Sequence, residues 1–278
     1  MTSANPSSLK KIFAAFHNEM IKTTALKYPW LGLALSAAMP FFCAIGFSQM
    51  GAAKNLNGVS FLSNSTQLAA TSLIPIFVLI HAALLIVSET EQGTYRDALC
   101  RPLGRSEFLF SKLFAAALFS LMLLAVNIIS GLIVAKWKYQ LGAVMDGETV
   151  LVSGTTIAAS ILIAALLTML PIFALLSFGF FMSAIARTYA GAIGFALGIN
   201  IGIQPLKYFI PVGNAHLDKY IFSSYLDTGF SMLNELAGGI SISWNSPNVV
   251  RCVIISAIYT TVFLFTAFII FHKRDLNK

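Results

Sequence analysis

The chain has 278 residues, of which 57% are hydrophobic and only 10% charged. Soluble domains carry about 25% charged residues, so this composition excludes a soluble enzyme and defines a polytopic, all-α integral membrane protein. The formal charge of +7 sits at the ends of apolar segments, which is a membrane pattern and argues against a nucleic-acid partner.

The sequence reads as a single transmembrane domain over 1–278, with six spans behind an amphipathic helix. Residues 8–27 show helical periodicity without the length of apolar sequence that a span needs. Leu9, Ile12, Phe13, Phe16 and Met20 form one stripe, with Lys10, Lys11, Asn18 and Lys22 off it. A basic amphipathic helix of this kind lies in the membrane interface, its lysines towards lipid headgroups. The first span covers about 30–47, marked by Tyr28 and Trp30 and bent at Pro40. A polar loop over 49–67 is expected next, followed by a second span at about 68–88 that carries Pro75 and His81. An ionisable residue inside a span is a functional candidate; the plainer reading is a neutral imidazole bonded to a neighbouring helix. Further spans are expected at about 108–134, 157–185, 190–205 and 249–271. In the fifth, Gly194, Gly198 and Gly202 recur every four residues. Such glycines let a second helix approach closely, either within one subunit or across a twofold axis between subunits. The connection 206–248 is too apolar for an unstructured linker and is expected to form short helices at the membrane surface. Cys43, Cys100 and Cys252 are scattered without metal-ligand spacing.

Between spans two and three lies the densest run of charge, over 89–107. Glu89 and Glu91 are placed to orient the loop at the end of span two, and Gly93 provides a bend. Thr94 with Asp97 has the spacing of a capping box. Tyr95, Ala98 and Leu99 then share one face of a helix of about two turns. Asp97 and Arg101 sit one turn apart in the favourable order, and Pro102 ends the helix. Ser106 is expected to cap the third span. The small apolar face suits a groove on a partner, with Arg101 and Arg105 at its rim.

Six spans put both termini on one side. The side carrying the termini and this loop holds 12 of the 18 lysines and arginines, the other six. By the positive-inside rule that side is cytoplasmic.

These features resemble the permease subunit of a bacterial type-2 ABC transporter (the ABC-2 type exporters). The resemblance rests on the six-span layout and on Glu89, Glu91, Gly93, Thr94, Leu99, Pro102, Arg105 and Lys112 in the loop and just beyond. The terminal Lys273-Arg274-Asp275 adds to it. It implies a membrane-spanning exporter subunit in the bacterial cytoplasmic membrane, working with a second permease copy and cytoplasmic ATPase subunits. ATP and magnesium would bind those subunits, with no cofactor on this chain. The sequence has no phosphate-binding Gly-x-x-x-x-Gly-Lys-Ser/Thr loop and no His-Glu-x-x-His, so an enzyme is not expected. Apolar, Phe-rich spans favour an amphipathic peptide, lipid or drug as substrate. The alternative is a secondary transporter or another ATP-independent membrane protein, which would normally place acids or broken helices at midplane. Ser88 and Thr90 stand where many members of the class have basic residues, leaving the pairing of Glu89 and Glu91 open.

Overall fold

The computed structural model describes residues 8–49, 56–92, 104–139, 141–146, 149–212 and 215–273. Six helical stretches are long and apolar enough to cross a membrane: Lys27–Gln49, Gly58–Glu91, Arg105–Lys138, Gly154–Ile185, Tyr189–Lys207 and Pro247–Lys273. Their number and order match the sequence expectation. Helix α1 (Ser8–Ala25) precedes them, and α2 (Lys27–Gln49) follows almost without a break.

The second span differs most from its expected form. Residues expected in a polar loop form α3 (Gly58–Leu68), which a π-helical turn at Ala69–Leu73 joins to α4 (Ile74–Gln92). Asn57 starts α3 by accepting a hydrogen bond from Ser60 N–H at 2.7 Å, as an N-cap should. Several polar residues of α3 satisfy themselves locally: Ser63 Oγ donates to Val59 O and Asn64 Nδ2 to Ser60 O. The π turn ends two residues before Pro75, whose missing N–H an unbroken α-helix would feel.

Helix α5 (Arg105–Lys138) forms the third span. Its first turn is not capped by Ser106. Gly104 is the N-cap, and its N–H donates to the Glu107 carboxylate at 2.9 Å. Helix α6 (Gly154–Ile185) is capped by Ser153, and α7 (Tyr189–Phe209) by Thr188. Two short antiparallel strands, β1 (Val144–Asp146) and β2 (Thr149–Val152), join α5 to α6. No sequence signal had pointed to them.

Past α7, β3 (Pro211–Val212) pairs with β4 (Ala215–His216). Two 3-10 turns, Leu217–Tyr220 and Phe222–Tyr225, then lead into α8 (Thr228–Ala237). The expected short helices are therefore present, with a strand pair added. Helix α9 (Pro247–Lys273) is the last span.

Helix α6 is the centre of the bundle and packs on α4, α9 and α8. It is apolar all round, as befits a helix buried among others. At Gly179 a Cβ would meet the Ala82 Cβ of α4 at 2.8 Å, and at Gly229 of α8 it would meet the Ala164 carbonyl of α6. A side chain at either glycine would force α6 and its neighbour apart.

Candidate functional site

Glu89 ends the apolar run of α4 and is buried. Lys112 enters from the second turn of α5 and is 1% exposed, as extreme a burial as a lysine can have. A charge so placed needs partners, because desolvation alone costs several kcal/mol per ion. The partners come from α1. Lys112 Nζ donates to Glu89 Oε1 at 2.7 Å and to Glu19 Oε2 at 2.9 Å. Lys22 Nζ donates to Glu89 Oε1 at 2.8 Å and to Glu19 Oε1 at 3.0 Å. Each acid thus lies between the two bases, in a neutral square joining α1, α4 and α5. Lys112 Nζ also stands 4.8 Å from the centre of the Phe108 ring, within cation–π range.

Burial pushes the Glu19 carboxyl up, but Lys112 and then Lys22 pull it below its ordinary value. Burial pushes Lys22 down, and its bonds to Glu89 and Glu19 outweigh this and hold it above. Both charges are therefore fixed across the neutral range, and neither suits acid–base chemistry. The arrangement can do mechanical work: it fastens three helix ends. Among the described residues no three His, Cys, Asp or Glu side chains are grouped to hold a metal ion.

Three more bonds tie down the same end of the bundle. The carboxylate of Glu91 accepts from Tyr189 N–H at 2.6 Å, at the start of α7, where backbone donors lack intrahelical partners and the dipole favours a negative charge. The Tyr189 hydroxyl donates to Ser88 O at 3.2 Å. Arg105 Nη1 donates to His272 O in the last turn of α9 at 2.8 Å. Slightly deeper, Ser183 Oγ of α6 accepts from Ile86 N–H and Val87 N–H of α4. Every span but the first is linked here, and α1 stands in for it.

Of the residues singled out in the sequence, Glu89, Glu91 and Arg105 therefore lie at the base of the loop, in defined bonds. Gly93, Thr94, Tyr95, Asp97, Ala98, Leu99, Arg101 and Pro102 lie outside the described residues, as does Cys100. Glu89 is paired through its Oε1 with Lys22 and Lys112, so its ion pairing comes from α1 and α5 and not from the neighbouring Ser88 and Thr90. Sequence marked Lys22 only as a base off the apolar stripe of α1 and assigned Glu19 no role; their partners on α4 and α5 are 67 to 93 residues away. On α1 the expected apolar stripe is split. Glu19 and Thr23 are buried against the bundle, while Phe13 is 70% exposed.

His81 follows the plainer reading, since its Nδ1 shares a 2.8 Å hydrogen bond with the Tyr28 hydroxyl of α2. On α7, Ala192, Ala196 and Asn200 face inward. Gly194, Gly198 and Gly202 lie on the other face, where a Cβ would meet nothing within 4 Å. Among the described residues no helix covers that stripe.

Six apolar spans, with a buried charge network tying the second and third of them to α1, define a multi-pass helical membrane protein. The chain belongs to the family described as Protein of unknown function (DUF2705), whose profile matches residues 15–277. It is similar to Uncharacterized protein YhcI of Bacillus subtilis (strain 168), at 28% identity over 215 residues. The match covers 74% of this chain and 66% of YhcI, so it spans just under two thirds of that relative.

Proposed function

We propose that this chain is the membrane-spanning subunit of an ATP-driven exporter, coupled to a separate ATPase through the loop between α4 and α5. The observation that supports this best is the fastening of the loop's base. One end carries Glu89, held by Lys22 and Lys112, and Glu91, held by Tyr189 N–H. The other carries Arg105, held by His272 O. A push on a loop with stiff roots is passed to α1, α7 and α9 as well as to its own two helices. A surface loop with no partner gains nothing from such roots.

In this reading the end bearing the network is cytoplasmic, as the lysine and arginine bias implies, and α1 lies in the interface with Phe13 in lipid. A second permease copy covers the Gly194, Gly198 and Gly202 face of α7. ATP and magnesium belong to the ATPase, and this chain performs no catalysis. The substrate class that suits apolar walls is amphipathic. A secondary transporter is the competing reading, and it lacks the support of acids near midplane: among the described residues, the acids of the spans are Glu89, Glu91 and Glu107, all at one end. Affinity purification of the tagged chain from mild detergent tests the choice. An ATPase with a phosphate-binding loop should copurify in about equal amount, and its absence from native membranes would favour the ATP-independent reading.

A further inference from the structure

At the end of the bundle away from the charge network lies a cavity of about 500 Å³, between the 3-10 turns, α8, the segment 241–246 and the start of α9. Ligand sites have volumes of about 300–1,000 Å³. Its lining is unlike the rest of the chain. Asp218, Asp227 and Glu235, three of the chain's 11 acids, all reach it. The Tyr225 ring and the side chains of Met232 and Ile242 give it an apolar part, with Tyr225 and Met232 both buried.

Unlike Glu19 and Glu89 in the network at the other end, these carboxylates make no ion pair within 4 Å with another residue lining the cavity. Lys219 and Arg251 also line the cavity, yet neither closes on an acid. Asp218 Oδ1 is shut off from solvent and accepts no hydrogen bond, and the same holds for Ser224 Oγ. Asp227 is the N-cap residue of α8 but makes no side-chain cap bond. Burial raises its carboxyl, with its own backbone and Lys207 offsetting only part of this. Buried acceptors without donors cost about 1–3 kcal/mol each, so a structure that keeps them gains from a donor supplied by something else. The three acids are not grouped closely enough for a metal ion. A primary ammonium brings three donors and one compact positive charge, and an apolar group attached to it would fill the space beside Tyr225 and Met232.

We propose that this cavity binds an amphiphilic primary amine, its ammonium on Asp218 with Asp227 and Glu235 nearby and its apolar body against Tyr225, Met232 and Ile242. This deepens the transport reading by naming a substrate class, but binding requires no ATPase, so failed ATPase copurification would leave it standing.

The test uses the full chain in phosphatidylcholine nanodiscs, titrated calorimetrically with tryptamine and with N-acetyltryptamine, which keeps the ring and loses the charge. Tryptamine should bind saturably, and the acetylated compound at least about tenfold more weakly. Asp218→Asn should weaken tryptamine binding about tenfold. The exposed Glu235→Gln should weaken it several-fold, and this variant decides the matter should the first not fold. Adding phosphatidylethanolamine to the discs identifies the source of the amine: competition points to a lipid headgroup, and unchanged affinity to a soluble amine. Absence of saturable binding, equal binding of the two compounds, or full affinity in Glu235→Gln would each overturn the proposal.

Discussion

Lys112 Nζ lies 2.7 Å from Glu89 Oε1, although the two are 23 residues apart with the whole polar loop between them. The bond closes the loop at its root and is almost wholly out of water. Its worth is asymmetric. Forming a buried pair returns little, but removing one member strands the other, at about 3–5 kcal/mol. Lys112→Met should therefore lower the apparent unfolding temperature in detergent sharply. Adding Glu89→Gln leaves Glu19 with Lys22 as a balanced pair. The double variant should be less destabilised than the sum of the two single variants, and additivity would show that the charges act independently.

The pH dependence follows from the two shifted groups. Glu19 has a folded value below its ordinary 4.5. Its contribution is therefore complete above that value and is lost as pH falls through the lower, folded one. Lys22 is raised above 10.5, so its contribution is complete below that value and is lost only as pH climbs through the higher, folded one. Between them stability should be flat. The unfolding temperature of the wild type should exceed that of Glu19→Gln by a constant margin from about pH 6 to 8, and the margin should shrink below about pH 4.5. A margin that widens in acid would contradict the charge pairing.

Two glycines should respond in opposite ways. At Gly198 an added Cβ meets nothing within 4 Å among the described residues, so Gly198→Leu should leave monomer stability within about 0.5 kcal/mol. In the proposed dimer it should abolish association, read by native mass spectrometry or crosslinking. Gly229→Ala would drive a methyl into the Ala164 carbonyl of α6. It should cost about 1–3 kcal/mol through overpacking and leave association unchanged.

The orientation can be read directly. In a chain with Cys43, Cys100 and Cys252 replaced, Ser241→Cys should react with an impermeant maleimide added to intact cells. Labelling that appears only after the membrane is opened would invert the topology.

The spans were legible because runs of about 20 apolar residues have few other uses. Helix α3 was not, since Ser60, Ser63, Asn64, Ser65 and Thr66 read as a loop. Ser63, Asn64 and Ser65 instead turn back on the helix, donating to Val59 O, Ser60 O and Leu62 O, and α3 can then lie buried. Glu89 and Lys112 stood out in and just beyond the loop, and Lys22 as a base off the apolar stripe of α1, whereas Glu19 was assigned no role. Nothing in the local sequence tells that these four meet, because contact between α1 and α5 is decided by how the bundle packs. The Gly194, Gly198 and Gly202 spacing was plain, but the glycines where a side chain would clash between α6 and its neighbours are Gly179 and Gly229, which have no such spacing. The cavity beside α8 was likewise invisible, since its acids are strung over Asp218, Asp227 and Glu235 and meet only through the 3-10 turns.

The central claim is that the loop between α4 and α5 couples this chain to an ATPase, and Leu99→Asp tests it most directly. A charge on the apolar face of the loop should leave insertion and the root bonds of Glu89, Glu91 and Arg105 intact. In membranes containing both subunits, ATPase recovered with the tagged variant and substrate-dependent ATP turnover should fall together, by about tenfold or more for the loss of a buried apolar contact of about 1.5–3 kcal/mol. Normal recovery and normal turnover with a folded Leu99→Asp chain would contradict the account.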